Sequence, residues 1–143
     1  PKWVRPMAET LGRLGAERVW VVHGSDGLDE LTTTGPSHVC EFDNGDLREF
    51  DLTPEDAGLP IADPADLKGG DADYNAAAIR AVLGGEPGAY RDIVLYGVAA
   101  ALMIADRTTD LKEGVAIASD AISSGRAQSA LDRLVAITNE PTP

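Results

Sequence analysis

The amino-acid sequence predicts an α/β fold, and three stretches carry that prediction. The short run Val19 to Val22 is apolar and rich in β-branched residues, and it ends at His23-Gly24. That is the pattern of a strand covered on both faces, typical of parallel sheets. Asn44-Gly45 lies between two mixed stretches, His38 to Phe42 and Leu47 to Leu52. It marks a β-hairpin over about residues 38–52, because both turn residues tolerate positive φ. From Asp71 onward apolar residues recur at helical spacing, so the carboxy-terminal half should be helical. The expected architecture is a partial, mainly parallel sheet with a hairpin, followed by helices.

Each element has a local reason. Val4, Met7, Ala8, Leu11 and Leu14 share helical spacing, Pro6 fits a first turn, and Gly15 provides a stop. Ser25 to Thr34 is polar and contains glycine, so it reads as a loop beyond the carboxyl end of the Val19–Val22 strand. Thr53 to Gly70 is rich in Pro, Asp and Gly and reads as a long connection, with single helical turns at Pro54 to Ala57 and Pro64 to Leu67. Asp71 is a candidate cap for a helix whose Ala72, Ala76, Ile79 and Leu83 share a face, and Gly84-Gly85 ends it. Arg91 to Ala105 is apolar all round, which predicts a helix buried on every side; Ile93-Val94-Leu95 also has strand character. Asp110 with Glu113 has the spacing of a capping box ahead of the stripe Leu111, Val115, Ala118, Ile122. Gly125 separates that helix from a last one carrying Ala127, Leu131, Leu134 and Val135.

The sheet inventory is incomplete. One buried-type strand needs neighbours on both edges, and the hairpin supplies only one. The first residue is Pro1, not Met. Both observations lead to the expectation that these 143 residues are a piece of a larger α/β domain.

Composition narrows the function classes. The formal net charge is −12, which disfavours nucleic acid and anionic membranes as partners. A single cysteine, Cys40, excludes an internal disulfide and is compatible with a reducing compartment. Two histidines and one cysteine cannot form the usual four-ligand structural zinc site. The longest apolar run, Ile93 to Ala105, falls short of the roughly 20 residues of a spanning helix. The expectation is a cytoplasmic chain.

The stretch His23-Gly-Ser-Asp-Gly-Leu-Asp29-Glu30-Leu31-Thr32 holds the candidate chemistry. Ligands of open α/β sheets bind beyond the carboxyl ends of strands, where this loop lies. Asp29 and Glu30 are adjacent carboxylates that could hold a hard cation while the cation also takes substrate oxygens; Mg²⁺ commonly binds in that way. They could equally be solvated loop charges. Asp26, Asp29 and Glu30 together lack the spacing and terminal Glu of an EF-hand. His23 reads as a local hydrogen-bond donor, Cys40 has no basic neighbour to activate it, and Trp3 and Trp20 read as core or domain-contact residues.

The segment Val21-Val-His-Gly-Ser-Asp-Gly-Leu-Asp-Glu-Leu-Thr32 resembles the V-x-G-x-x-G-L-D-E segment of anthranilate phosphoribosyltransferases. The resemblance extends along the chain in order. It takes in Arg5-Pro-Met-Ala-Glu-Thr-Leu-Gly-Arg-Leu-Gly15, Gly35-Pro36, Lys68-Gly-Gly-Asp-Ala-Asp-Tyr-Asn-Ala76, Glu113-Gly114 and Ser124-Gly-Arg-Ala127. Leu95-Tyr-Gly-Val98 departs from the family's usual Leu-Asn-Ala there, which affects local helix packing. The resemblance implies transfer of phosphoribosyl from phosphoribosyl pyrophosphate to anthranilate in tryptophan biosynthesis. It further implies Mg²⁺ held by Asp29 and Glu30, and a homodimer at full length. It places residues 1–143 in the carboxy-terminal part of the glycosyltransferase-type α/β domain. The family's amino-terminal helical domain, its glycine-rich pyrophosphate loop and its anthranilate site are not represented in this chain, so the chain alone should be inactive and could self-associate. Gly69-Gly70-Asp71 resembles that pyrophosphate loop only superficially and reads as the end of a connection and a helix cap. Two alternatives are a fragment of a nucleoside phosphorylase and a non-catalytic binding module. The Asp29-Glu30 pair argues against the first, and the incomplete sheet against the second.

Overall fold

The spacing of small residues decides how the first helix meets the sheet. In the computed structural model, which describes residues 1–140, α1 (Val4–Arg13) buries Val4 and Ala8 against Cys40. Gly12 continues the same stripe, and a Cβ there would stand 2.5 Å from the ring of Phe42, so only glycine allows this approach. The stripe is narrower than the sequence reading. Met7 is 52% exposed and Leu14 is 78% exposed, because the sheet meets only the Val4–Ala8–Gly12 side of the helix.

Three strands follow: β1 (Arg18–Gly24), β2 (Ser37–Asp43) and β3 (Asp46–Leu52), in the order β1-β2-β3. The hairpin forms where Asn44-Gly45 placed it, with φ of 46° and 107° at the two turn residues. The direction of pairing differs from the expected mainly parallel sheet: both pairs are antiparallel, with Val21 opposite Cys40 and Cys40 opposite Glu49. An apolar run reports that both faces are covered, not how the strand is paired. Both faces of β1 are indeed approached. Val21 packs on the α1 side, while Trp20 and Val22 pack against the main core. As an edge strand, β1 is half-buried along most of its length.

The carboxy-terminal half is helical as read: α2 (Ala72–Leu83), α3 (Ala89–Ile104), α4 (Leu111–Ser123) and α5 (Arg126–Thr138). Single 3₁₀ turns form at Pro54–Ala57 and Pro64–Leu67. The alternative strand at Ile93-Val94-Leu95 is not formed, since those residues lie within α3. That helix is not buried on every side. It buries Leu95, Tyr96, Ala99 and Ala100 and leaves Val94 and Val98 exposed. Tyr96 is fully buried and its hydroxyl donates to the Thr53 carbonyl at 3.0 Å. Burial, followed by the charges of Asp56 and Glu55, raises that phenol above its ordinary value.

Helices α3 and α4 meet closely because Gly114 has no side chain; a Cβ there would lie 2.8 Å from Ala99 Cα. Asp110 caps α4 by accepting from the amides of Lys112 at 2.7 Å and Glu113 at 3.1 Å. The reciprocal half of the expected capping box is absent among the described residues. Glu113 Oε2 accepts from the Thr108 hydroxyl, and the same hydroxyl takes the Asp110 amide. Among the described residues no helix is long and apolar enough to cross a membrane.

On the α3-facing side of the sheet a carboxylate is buried with its partners. Glu41 accepts from Trp20 Nε1 at 2.7 Å and from Arg48 Nη2 at 2.8 Å. Arg18 reaches across to the Met103 carbonyl at 3.1 Å and pairs with Asp106, tying β1 to the end of α3.

Candidate functional site

The chain between β1 and β2 is a loop pinned from within. The Gly24 amide donates to the Leu28 carbonyl at 2.9 Å, and the Ser25 amide to the Pro36 carbonyl at 2.9 Å. Leu31 is inserted into the main core, and Thr32 and Thr33 behind it are fully buried. The Thr32 amide donates to Ser37 Oγ at 2.9 Å, and the Ala62 amide donates to the Thr33 carbonyl at 2.9 Å. The second half of the loop is therefore fixed to β2 and to the connection that follows β3.

Asp26 holds the first half to the second. Its Oδ2 accepts from Thr32 Oγ1 at 2.6 Å and from Thr34 Oγ1 at 2.8 Å, and its Oδ1 accepts from the Leu28 amide at 3.1 Å. Partial burial pushes this carboxyl up, but the Thr32 and Thr34 hydroxyls and the Leu28 amide outweigh that and hold it below its ordinary value. Gly24 makes room for the bridge, since a Cβ there would lie 2.6 Å from Asp26 Oδ1 and 3.1 Å from Thr32 Cβ. Gly27, at φ 96°, supplies the left-handed turn that brings Leu28 back to Gly24.

The three carboxylates of the loop thus divide into two kinds. Asp26 is spent on the loop itself. Asp29 and Glu30 are exposed, and among the described residues neither side chain accepts a hydrogen bond or joins an ion pair. They stand next to Leu31, whose anchoring fixes their backbone, at the carboxyl end of β1. This donor set suits a hard cation that keeps further positions for waters and phosphate oxygens. Among the described residues no group of three or more His, Cys, Asp or Glu side chains is placed to hold a metal ion, so further ligands would have to come from elsewhere.

The other residues read from the sequence fall into place individually. His23 is half-buried and, contrary to its reading as a local donor, makes no side-chain hydrogen bond among the described residues. Cys40 is fully buried, and burial pushes its thiol up, away from reactivity. Trp20 is a core-edge residue, packed edge-on against Phe50 at 5.4 Å, whereas Trp3 is exposed. Asp71 caps α2 by accepting from the Tyr74 amide at 2.9 Å, so Gly69-Gly70-Asp71 is a helix start as read. The bridging role of Asp26 was not legible from motif matching. Its only trace is a carboxylate that precedes two threonines at spacings of six and eight.

Comparison with known proteins sets this loop in a lineage. The profile of the glycosyl transferase family, a/b domain, matches residues 1–128. The anthranilate phosphoribosyltransferase of Parvibaculum lavamentivorans is 59% identical over 138 residues, covering 96% of this chain and 40% of that protein. That of Rhodospirillum rubrum is 58% identical over 140 residues, covering 98% and 40%. The crystal structure of anthranilate phosphoribosyltransferase from Thermus thermophilus superposes with a TM-score of 0.85 at 45% identity, over 95% of this chain and 40% of that one. The Saccharomyces cerevisiae enzyme in complex with PRPP and Mg has the same fold, with a TM-score of 0.82 at 24% identity, over 90% of this chain and 38% of that one. The chain spans about 40% of the length of the relatives it matches. With an ordered match over nearly its whole length, this chain belongs to the glycosyl transferase family and contributes to its a/b domain.

Proposed function

We propose that residues 1–143 form the carboxy-terminal part of the α/β domain of an anthranilate phosphoribosyltransferase. That enzyme transfers phosphoribosyl from phosphoribosyl pyrophosphate to the amine of anthranilate, in tryptophan biosynthesis. The names of the relatives support the reaction, and one observation supports the chain's role in it. In a loop held by Asp26 and Leu31, the Asp29 and Glu30 carboxylates make no hydrogen bond or ion pair among the described residues, at the carboxyl end of β1. These two residues would hold Mg²⁺ with the help of substrate oxygens. When bound, the ion would neutralise charge on the pyrophosphate leaving group. The protein's own task is alignment: two carboxylates on a fixed backbone set where the pyrophosphate sits relative to the incoming amine.

The helical amino-terminal domain, the glycine-rich pyrophosphate loop and the anthranilate site would come from the part of the enzyme that this chain does not span. The chain alone would therefore give no phosphoribosyl anthranilate above background. At full length the enzyme would be a homodimer in the cytoplasm. The isolated piece would self-associate through β1, whose outer edge has no partner strand among the described residues.

The test is a Mg²⁺ titration of turnover in the full-length enzyme. Asp29→Asn combined with Glu30→Gln should lower kcat/KM by about a hundredfold or more, the scale of losing one electrostatic element, with the thermal unfolding midpoint unchanged. A double variant with parental kcat/KM at every Mg²⁺ concentration would remove the pair from the reaction. Phosphorolysis of a nucleoside in place of anthranilate transfer would favour the phosphorylase alternative.

A further inference from the structure

We propose that Asp26 is a positioning residue for the metal-binding pair: its bridge to Thr32 and Thr34 sets the backbone on which Asp29 and Glu30 meet the cation. The inference rests on the reading of Asp29 and Glu30 given above. It starts from how unequally the loop's three carboxylates are treated. A flexible loop with three adjacent acids would offer all three to a cation and would resist bringing them together. Here one acid is withdrawn. Asp26 accepts three hydrogen bonds, from Thr32 Oγ1 at 2.6 Å, Thr34 Oγ1 at 2.8 Å and the Leu28 amide at 3.1 Å. It has little acceptor capacity left for a metal, and its charge is partly absorbed by those donors.

The bridge spans the pair. Asp26 lies before Asp29-Glu30 in the chain and Thr32 lies after it, so joining the two closes a short ring whose outer arc carries both free carboxylates. The inner side of the ring is fixed to the core by Leu31 and to β2 through the Thr32 amide and Ser37 Oγ. Thr32 Oγ1 also accepts the Thr34 amide at 3.0 Å, which locks the side chain that Asp26 grips. Gly24 is part of the same device, because its lack of a side chain leaves the space that the Asp26 carboxylate occupies. A metal site made of only two carboxylates has weak intrinsic affinity, so the ordering of those two before binding determines much of it.

The full-length enzyme carrying Asp26→Ala tests this, with phosphoribosyl pyrophosphate, anthranilate and Mg²⁺ as probes. The apparent Mg²⁺ requirement should rise tenfold or more while most of kcat returns at saturating Mg²⁺. Amide hydrogen exchange should quicken at Leu28, whose amide loses its Asp26 acceptor, and at Thr32, and stay unchanged at Val19 to Val22. Thr32→Val should reproduce the Mg²⁺ effect, and Thr32→Ser, which keeps the hydroxyl, should restore it. If Asp26→Ala does not fold, Thr34→Val removes a single bond of the bridge and should still raise the Mg²⁺ requirement about threefold. Loss of kcat and stability with a parental Mg²⁺ requirement would mean that Asp26 only supports folding, and it would overturn the inference. A parental Mg²⁺ requirement in Asp26→Ala, beside a damaged Asp29→Asn/Glu30→Gln enzyme, would also overturn it while leaving the metal reading intact. If the Asp29→Asn/Glu30→Gln enzyme is itself unaffected, the metal reading falls and takes this inference with it.

Discussion

Replacing Glu41 with glutamine asks how much the charge beneath α3 contributes to the sheet. The carboxylate is 5% exposed and accepts from Trp20 Nε1 at 2.7 Å and from Arg48 Nε and Nη2 at 3.1 and 2.8 Å. Arg18 Nη2 lies 3.7 Å away. Glutamine keeps the shape and an acceptor for Trp20 but loses the charge that faces two guanidinium groups. The Arg48 side chain is 68% exposed, so water replaces most of what it loses, and its share is under about 1 kcal/mol. Arg18 is more enclosed, and its Nε has no hydrogen-bond partner among the described residues, with Asp43 Oδ2 3.8 Å away, so water replaces less of what it loses. Hydrogen bonds to charged groups contribute about 1.5–3 kcal/mol. With the Trp20 bond kept and the Arg48 share discounted, Glu41→Gln should cost about 1–2 kcal/mol. Glu41→Ala, which also leaves the Trp20 indole N–H without its acceptor, should cost about 2–4 kcal/mol.

The same substitution carries a pH signature. Burial pushes the Glu41 carboxyl up, but the Trp20 indole, the Arg48 hydrogen bonds and the charges of Arg48 and Arg18 outweigh burial and hold it below its ordinary 4.5. A folded value below the unfolded one means stabilisation that is fully present above about pH 4.5 and is lost as pH falls through the folded value. The difference between parent and Glu41→Gln should therefore be full at pH 7 and shrink below that point. Urea unfolding followed by tryptophan fluorescence at both ends of the range reads it, with unchanged slope confirming a stability effect. A glutamine variant within about 0.5 kcal/mol of the parent at pH 7, or a gap that widens on acidification, would refute the reasoning.

Gly114→Ala should destabilise by about 1–3 kcal/mol in urea unfolding, because the added methyl group must displace the Ala99 backbone at 2.8 Å. Tyr96→Phe should cost about 1–2 kcal/mol by the same assay, since it removes the hydroxyl that satisfies the Thr53 carbonyl without opening a large cavity. Cys40 should react with a thiol reagent only as fast as the protein opens, because the thiol is fully buried and raised; a rate that is independent of denaturant at low concentration would contradict that burial.

The elements that the sequence revealed most clearly are those set by local chemistry. Asn44-Gly45 could only be a tight turn, and Asp71 and Asp110 cap helices because their side chains reach amides two or three residues on. Pairing direction was not legible in Val19 to Val22, since strands covered on both faces look alike whichever way their neighbours run. The exposure of Met7, Leu14, Val94 and Val98 was hidden for a related reason: periodicity shows that a face is apolar, not whether this chain covers it. At the candidate site the free pair Asp29-Glu30 could be picked out by its place after a strand. Asp26 could not, because its role depends on Thr32 and Thr34 folding back onto it.

Binding of Mn²⁺ to the full-length enzyme, read by electron paramagnetic resonance as a stand-in for Mg²⁺, tests the Asp29–Glu30 site most directly. Binding should be weak without phosphoribosyl pyrophosphate and much tighter with it, because phosphate oxygens complete the coordination. Asp29→Asn with Glu30→Gln should abolish that tightening while the fold and the exchange protection of Val19 to Val22 persist. Undiminished Mn²⁺ binding by the double variant in the presence of phosphoribosyl pyrophosphate would contradict the assignment of these two carboxylates to the metal.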